Sequence, residues 1–130
     1  MVEVHGLFVG RDFKTEVWLT DKVRDQLCES EKAGELATKL EHFAKVGFIN
    51  FEAKVGRPIK YEWNGVYRIG LHASLFRVIG FYEDDRKTGF VGVDVFTKGG
   101  QKLSKAEKKR IKDVAKVRAD ASSWRKVPNG

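Results

Sequence analysis

The sequence predicts an α+β fold in which an antiparallel meander sheet carries a helix pair on one face and is followed by a basic C-terminal helix. Two patterns lead to this prediction. Apolar residues recur at helical spacing in the first half of the chain, and three strand-like segments follow one another over residues 66–98. With 130 residues, 42% of them hydrophobic, the chain is sized for a single domain with a buried core.

The N-terminal region predicts short strands. Two apolar-rich segments, 2–9 and 15–19, flank the turn-prone sequence Gly10-Arg11-Asp12. We therefore expect either a hairpin or two separate strands. The sequence leaves open whether residues 2–9 add a strand to the main sheet.

A helical pattern follows these segments. It begins after one of two candidate N-caps, Thr20 or Asp21, and ends at Gly47. Gly34 lies inside the pattern, where glycine costs about 1 kcal/mol relative to alanine. We therefore expect two helices, or one helix with a break near residues 31–34. The next segment, 48–63, follows neither period and is expected to be irregular.

The segments 66–72, 75–82 and 90–98 predict three consecutive strands of the meander. The first and third alternate between apolar and polar residues, while the second is apolar almost throughout, as is typical of a central strand. The valines of the third strand are expected to face the helix pair: Val91, Val93 and Val95. The opposite face is then open for function, and it carries Arg68, His72, Asp94 and Lys98.

The C-terminal region holds the charge imbalance of the chain. Ser104 and Glu107 form a capping-box pattern that predicts the start of the last helix. Residues 101–130 contain 10 Lys or Arg and 3 Asp or Glu, which equals the net charge of +7 of the whole chain. A basic helix is typical of a nucleic-acid contact, because each cation displaces a counterion from phosphate, but a solvated helix face explains it as well. Residues from about 120 to 130 are expected to form a flexible tail.

The composition excludes several classes of protein. The single cysteine excludes an internal disulfide and a multi-cysteine zinc site. The three histidines lie far apart without metal-ligand spacing, so we expect neither a metal nor a cofactor. No apolar run approaches the ~20 residues of a transmembrane helix, and the N-terminus has no signal-peptide pattern. We therefore expect a cytoplasmic protein that does not contact a membrane.

Three basic residues, Arg68, His72 and Arg77, lie inside strands that are otherwise rich in apolar residues. Burying an arginine is unfavourable unless the side chain reaches an open face or pairs with an anion. Arg77 is the most informative, because both of its neighbours are apolar. Either a structural salt bridge, to Glu62 or Asp94, or an anion-binding site explains it.

Basic residues continue from this face into the last helix, which suits RNA. The residues expected to bind RNA are Lys102, Lys105, Lys109 and Arg110. Cleavage of RNA through its own 2′-hydroxyl is independent of metal: it needs a base near the 2′-oxygen, cations around the developing charge, and an acid for the leaving 5′-oxygen. Arginine supplies charge but does not deprotonate readily. His72 and Lys98 are therefore the acid–base candidates, Lys98 only if its pKa is depressed.

Two short motifs at matching spacing resemble those of a known family. The sequence Tyr67-Arg68-Ile69-x-Leu71, followed by Phe76-Arg77-Val78-Ile79, resembles the paired-strand signature of the RelE/ParE toxin superfamily. The run Phe96-Thr97-Lys98-Gly99-Gly100-Gln101-Lys102-Leu103-Ser104 looks like the strand-to-helix segment of its HigB-like, phage-type branch. The resemblance covers roughly residues 14–119 and implies a RelE-like toxin domain of a type II toxin–antitoxin system.

The resemblance implies a ribosome-dependent mRNA endoribonuclease (mRNA interferase) that inhibits translation. Its partners are then the ribosome, mRNA and a cognate antitoxin, for example one of helix-turn-helix type. The resemblance further implies that Arg77 stabilises the scissile phosphate, with Arg68 as a second basic residue on the preceding strand. Lys98 and Lys102 would hold the RNA.

Departures from the family pattern leave other functions open. Gly70 stands where some relatives carry a catalytic lysine, and His72 on the same strand face is the candidate substitute. Tyr82 is the nearest match to a C-terminal tyrosine of some relatives. The superfamily also contains ParE-like, non-enzymatic gyrase inhibitors, and a basic tail with Trp124 would suit protein binding. A noncatalytic nucleic-acid-binding module is the third function, and Gly70 is its best support.

Overall fold

The computed structural model describes residues 1–29, 31–52, 58–70, 76–97 and 102–127, and for residues 31–34 the backbone alone. In this part of the chain, seven strands form one sheet and four α-helices pack around it. The strands are β1 (Val2–Phe8), β2 (Glu16–Leu19), β3 (Ile59–Trp63), β4 (Val66–Gly70), β5 (Phe76–Tyr82), β6 (Gly89–Thr97) and β7 (Trp124–Val127). The helices are α1 (Asp21–Cys28), α2 (Glu31–Val46), α3 (Ile49–Glu52) and α4 (Lys105–Ala119), with a 3-10 turn at Ala121–Ser123.

The sheet is mostly antiparallel, which confirms the predicted α+β class. Its strand order is β3-β4-β5-β6-β2-β1-β7. β2 runs parallel to β6 and β1 runs parallel to β7, while the other neighbours are antiparallel. β4, β5 and β6 form the predicted meander. The predicted strand ends at residues 71–72, 75 and 98 lie outside the described residues.

The segment that we expected to be irregular contains strand β3. It pairs antiparallel with β4, with Ile59 opposite Ile69. The two strands are joined by Asn64-Gly65, and both residues have positive φ, 47° and 81°. Asn-Gly is the preferred turn of tight hairpins because both residues accept this backbone conformation. The expectation was wrong because it relied on periodicity and overlooked this turn.

Both ends of the described chain add strands to the sheet. β1 pairs with β2 antiparallel, and β7 pairs with β1 in parallel, with Val2 opposite Trp124. The expectation of a flexible tail is therefore wrong for residues 121–127. The 3-10 turn redirects the chain after α4, and the Trp124 ring packs on Phe81 with 5.6 Å between centroids.

Helices α1 and α4 begin where the sequence predicted, whereas α3 lies in the segment that we expected to be irregular. The Thr20 hydroxyl accepts a hydrogen bond from the Val23 backbone N–H at 3.3 Å and caps α1. Ser104 and Glu107 form both hydrogen bonds of the capping box of α4. α2 begins at Glu31, so the predicted helix pair is confirmed, with its break just before the expected position. Among the described helices, none has both the length and the apolar character needed to cross a membrane.

Helices cover both faces of the sheet. α1, α2 and α3 pack on one face over buried residues that include Phe48 and Phe90, here called the helix-pair core. α4 packs on the other face, where Ile111 and Val114 meet Val66 in what we call the α4 core. The expectation that this second face is open is therefore wrong.

A β-bulge redistributes the valines of β6. A register shift between β5 and β6 leaves Val93 as an extra residue. As a result, Val91 and Val93 pack in the α4 core, whereas Val95 packs in the helix-pair core. The prediction that these three valines share one face is wrong, because a bulge shifts the alternation of side chains by one residue.

Candidate nucleic-acid interface

The strand register brings the two predicted catalytic arginines together. Arg77 of β5 lies opposite Gly70 of β4, and Arg68 lies two residues before Gly70 on the same strand face. Both arginines are partly buried on the α4 side of the sheet. Burial, together with the positive charge of Arg68, lowers the pKa of Arg77 below its ordinary value. These two side chains, here called the arginine pair, concentrate positive charge at one place on the sheet.

Gly70 provides the space in which the Arg77 side chain lies. A β-carbon at position 70 would come within 2.7 Å of Nη1 and 2.8 Å of Nε of Arg77, and closer still to its Cδ. Arg77 Nη1 also donates a hydrogen bond to the Phe76 carbonyl at 3.0 Å. Any side chain at position 70 would therefore displace the guanidinium. The residue that departs from the family pattern is thus tied to the conformation of Arg77.

Arg68 has an acidic neighbour on β3. Its Nε lies 3.3 Å from Oε1 of Glu62, and the two side chains are only 15% and 11% exposed. This oxygen accepts no aligned hydrogen bond from the described residues, so the contact between the two is chiefly electrostatic. Glu62, one of the two carboxylates that we considered as partners of Arg77, thus pairs with Arg68.

The other carboxylate, Asp94, connects three elements. It accepts hydrogen bonds from Nε and Nη2 of Arg110 on α4 and from Nζ of Lys22 on α1, all at 2.7 Å. Burial alone would raise the pKa of Asp94, but the hydrogen bonds from Arg110 and Lys22 outweigh burial and lower it. Arg110 also donates to the Val95 carbonyl and lies over the Phe96 ring. Arg110, which we expected to bind RNA, therefore fastens α4 to the sheet.

The solvent side of α4 carries a row of lysines. The members of this row, here called the lysine stripe, are all exposed: Lys105, Lys108, Lys109, Lys112 and Lys116. Lys109 forms an ion pair with Asp113 at 3.4 Å. Lys102, just ahead of the helix, is exposed as well. The three lysines predicted to bind RNA therefore have the exposure that this role requires.

The structure does not describe where the predicted acid–base residues lie relative to the arginine pair. His72 and Lys98 lie outside the described residues. Tyr82 packs against the helix-pair core, on the opposite face of the sheet from Arg77. Its hydroxyl donates to Oε2 of Glu52 at 3.4 Å, and burial raises its pKa far above the ordinary value. Tyr82 is therefore separate from the arginine pair.

A groove between β3 and α4 was not predicted. Its volume is about 280 Å³, and the described residues that line it are Glu62, Trp63, Leu103, Lys108, Ile111 and Lys112. The groove adjoins the arginine pair, because Glu62 is the residue that contacts Arg68. The sequence signal that was available is the Asn64-Gly65 turn, which identifies β3 and so brings Trp63 to the edge of the sheet.

A larger cleft, of about 460 Å³, lies at the other end of β4 and β5. On its wall, Lys87 forms an ion pair with Glu52 at 2.9 Å. The Lys87 ammonium also lies 5.3 Å and 5.1 Å from the ring centroids of Tyr67 and Tyr82. These contacts tie the turn between β5 and β6 to α3, and they add no charge to the arginine pair.

Comparison of the chain with protein-family models, with curated proteins and with solved structures finds no match. Within the described ranges, no group of three or more His, Cys, Asp or Glu side chains is arranged to hold a metal ion. The candidate interface is therefore described from its own residues. An arginine pair, a groove with a tryptophan wall and a lysine stripe lie together on the α4 side of the molecule.

Proposed function

We propose that this protein is the toxin of a type II toxin–antitoxin system, a RelE-like, ribosome-dependent endoribonuclease that cleaves mRNA in the cytoplasm. The observation that carries the proposal is the arginine pair, whose two cations lie on one face of the sheet beside a lysine-rich helix. The two sequence motifs that resemble the RelE/ParE superfamily support it, since they contain both arginines. Fold alone would not suffice, because related folds host different activities.

The arginine pair suits the charge that develops when RNA is cut through its 2′-hydroxyl. A base removes the hydroxyl proton, O2′ bonds to phosphorus, the bond from phosphorus to the 5′-oxygen breaks, and an acid protonates that oxygen. The products are a 2′,3′-cyclic phosphate and a 5′-hydroxyl. Arg77 and Arg68 stabilise the negative charge on the phosphoryl oxygens. Because arginine stays protonated, the base and the acid are other groups, with His72 and Lys98 as the candidates from the sequence.

The lysine stripe provides a surface for the larger partners. Its ammonium groups are exposed along one side of α4, where phosphates of ribosomal RNA can neutralise them. An antitoxin with an acidic segment would cover the same surface and compete with RNA. The proposal therefore includes mutually exclusive binding of the antitoxin and the ribosome.

A translation extract programmed with a defined mRNA tests the enzymatic proposal. The protein is expected to produce new 5′ ends within translated codons, mapped by primer extension. Arg77→Ala is expected to lower cutting roughly 100-fold, as the loss of one group that stabilises developing charge does. Arg11→Ala, in the exposed connection between β1 and β2, is the matched control and should cut normally. Folded protein that makes no cuts would contradict the proposal.

A noncatalytic nucleic-acid-binding module is the second candidate, and Glu62 favours it. Its carboxylate reduces the charge that Arg68 can offer to a phosphate, and Gly70 supplies no side chain where some relatives carry a lysine. This candidate predicts salt-sensitive RNA binding without cuts. The gyrase alternative rested on the ParE branch of the superfamily and on a basic tail with Trp124 that would suit protein binding, but Trp124 belongs to β7 and packs on Phe81. One of the two features behind that alternative is thus used by the fold.

A further inference from the structure

We propose that the groove between β3 and α4 is a stacking subsite for one unpaired base of a single-stranded RNA, with Trp63 as its platform. This inference rests on the proposed function, since it concerns the nucleotide next to the phosphate that the arginine pair holds. It adds a substrate class, single-stranded RNA, and a residue that the sequence motifs do not include.

A β-bulge turns Trp63 toward α4. Tyr61 pairs with Tyr67, but Trp63 pairs with Val66, so residues 62 and 63 together lie opposite one residue of β4. Without the bulge, Tyr61 and Trp63 would share a face. Instead, Tyr61 packs against the Tyr67 ring, 5.4 Å between centroids, while Trp63 lines the groove on the α4 side. Bulges commonly re-aim a side chain in this way next to functional sites.

The lining of the groove suits a nucleotide. Leu103 and Ile111 supply apolar surface, and Trp63 keeps 45% of its surface exposed. Lys108 and Lys112 also line the groove and belong to the lysine stripe, so cations border it on the α4 side. An indole ring stacks on any base, and lysines neutralise the phosphates on either side of that base.

Glu62 connects the groove with the arginine pair. Its carboxylate lines the groove and lies 3.3 Å from Nε of Arg68, so its negative charge is opposed by a cation. An RNA strand with a phosphate at Arg68 can therefore place a neighbouring base beside Trp63. The bases of a duplex are already stacked and paired, so the subsite selects single-stranded RNA.

Binding of a single-stranded 2′-O-methyl oligonucleotide of about ten nucleotides, which cannot be cut through its 2′-oxygen, tests the subsite. Trp63→Ala is expected to weaken binding roughly tenfold, as the loss of one base–aromatic stack does. Trp63→Phe keeps a ring and should retain most of the affinity. Tyr61→Ala is the matched control, because Tyr61 is a similarly exposed aromatic (54%) on the same strand but on the other face. It should bind like the unmodified protein.

An abasic chain of the same length and charge separates stacking from changes in the fold. The unmodified protein and Trp63→Ala should bind this chain equally well. Equal binding of the base-containing oligonucleotide by the two proteins would overturn the proposal, and so would an equal loss of affinity for the abasic chain. Tighter binding of an RNA duplex than of the single strand would overturn it as well.

The cleavage assay distinguishes failure of this inference from failure of the proposed function. If Trp63→Ala loses oligonucleotide binding but no mRNA is cut by the unmodified protein, the subsite stands and the endoribonuclease fails. If mRNA is cut normally and Trp63→Ala binds and cuts like the unmodified protein, the subsite fails and the endoribonuclease stands.

Discussion

Helices cover both faces of the sheet, but the two faces bury different chemistry. On the helix-pair side, the packing is mostly apolar apart from the Lys87–Glu52 pair at its edge, and aromatic rings contact one another in a chain made of Phe51, Phe43, Phe48 and Phe90. On the α4 side, charged side chains lie partly buried next to the apolar core: Arg68, Arg77, Asp94 and Arg110. Part of the charge on the second face serves the fold, because Asp94 and Arg110 fasten α4 to the sheet, while Arg68 and Arg77 are the residues that the proposed function assigns to RNA.

Under the proposed function, this contrast separates a face that chiefly stabilises the fold from the face that binds RNA. A buried charge is unfavourable unless it is paired. The α4 side supplies pairs, Asp94 with Arg110 and Glu62 with Arg68. It nevertheless brings Arg77 close enough to Arg68 for the two cations to repel, which helps to lower the pKa of Arg77. If the α4 side binds RNA as proposed, a phosphate at this place would offset the repulsion.

The largest expected effect comes from the helix-pair side. Phe48 is fully buried, 0% exposed, and its ring contacts those of Phe43, Tyr82 and Phe90. Phe48→Ala is expected to lower the free energy of unfolding by about 3–5 kcal/mol, because it removes buried aromatic surface and leaves a cavity. Urea denaturation measures this loss. Ile49→Ala, at the neighbouring exposed position, is the control and should change stability by less than about 0.5 kcal/mol.

The next effect comes from the paired charges of the α4 side. Asp94→Asn removes the charge that holds Arg110 and Lys22, and the Asp94 side chain is only 15% exposed. We expect a loss of about 2 kcal/mol in the free energy of unfolding at neutral pH, chiefly because the partly buried Arg110 loses its partner. Asp113→Asn is the control: Asp113 belongs to an exposed pair with Lys109, and its loss is expected to be below about 0.5 kcal/mol.

The pH dependence of this loss follows from the lowered pKa of Asp94. Because the pKa in the folded protein lies below the unfolded value of about 4, the carboxylate stabilises the fold fully above that value. Its contribution disappears as the pH falls through the pKa of the folded protein. The difference in stability between the unmodified protein and Asp94→Asn should therefore shrink on acidification. Two curves that stay parallel at all pH values would contradict this account.

A smaller effect on stability is expected from Gly70→Ala, which tests RNA cleavage or binding on the α4 side separately from the stability of the fold. In Gly70→Ala, the added β-carbon meets the flexible end of Arg77. We therefore expect stability to change by less than about 1 kcal/mol, also because alanine suits a strand better than glycine does. RNA cleavage, or RNA binding in a protein that does not cleave, should fall roughly tenfold because the guanidinium is displaced.

A double-mutant cycle checks whether Gly70→Ala acts through Arg77. If Gly70→Ala acts only through Arg77, it should add nothing to the loss caused by Arg77→Ala. Independent, additive losses would mean that position 70 contributes to the site by itself.

Local features of the fold were predictable because short segments contain them. Thr20 caps the helix that it precedes, and Ser104 and Glu107 complete their capping box within one turn. The meander likewise joins strands that are neighbours in the sequence. The pairing of β1 with β7 was not predictable in this way, because it joins Val2 to Trp124 across nearly the whole chain.

The candidate site likewise has features that local sequence patterns predict and features that depend on contacts between strands. Arg68 and Arg77 were recognisable as basic residues inside apolar strands, which is a local pattern, but they share a face because of the register between β4 and β5. The space over Gly70 and the orientation of Trp63 depend on contacts between different strands, so the sequence pattern did not indicate them. Arg110 adds to a basic stripe in the sequence, yet in the fold it serves to hold α4 against the sheet.

The smallest expected effect is on the salt dependence of RNA binding, and it is tested with two matched lysines, one on each side of the molecule. Lys109 of α4 pairs with Asp113 at 3.4 Å, and Lys45 of α2 pairs with Glu41 at 3.3 Å, each four residues apart and exposed. Neither Lys109→Gln nor Lys45→Gln should change the free energy of unfolding by more than about 0.5 kcal/mol. Only Lys109→Gln is expected to reduce the salt dependence of RNA binding, because only this ammonium belongs to the lysine stripe. The magnitude of the slope of log K against log salt should fall by slightly less than one. Equal slopes for the two variants would mean that RNA does not distinguish the two faces, and the assignment of ligand binding to the α4 side would fail.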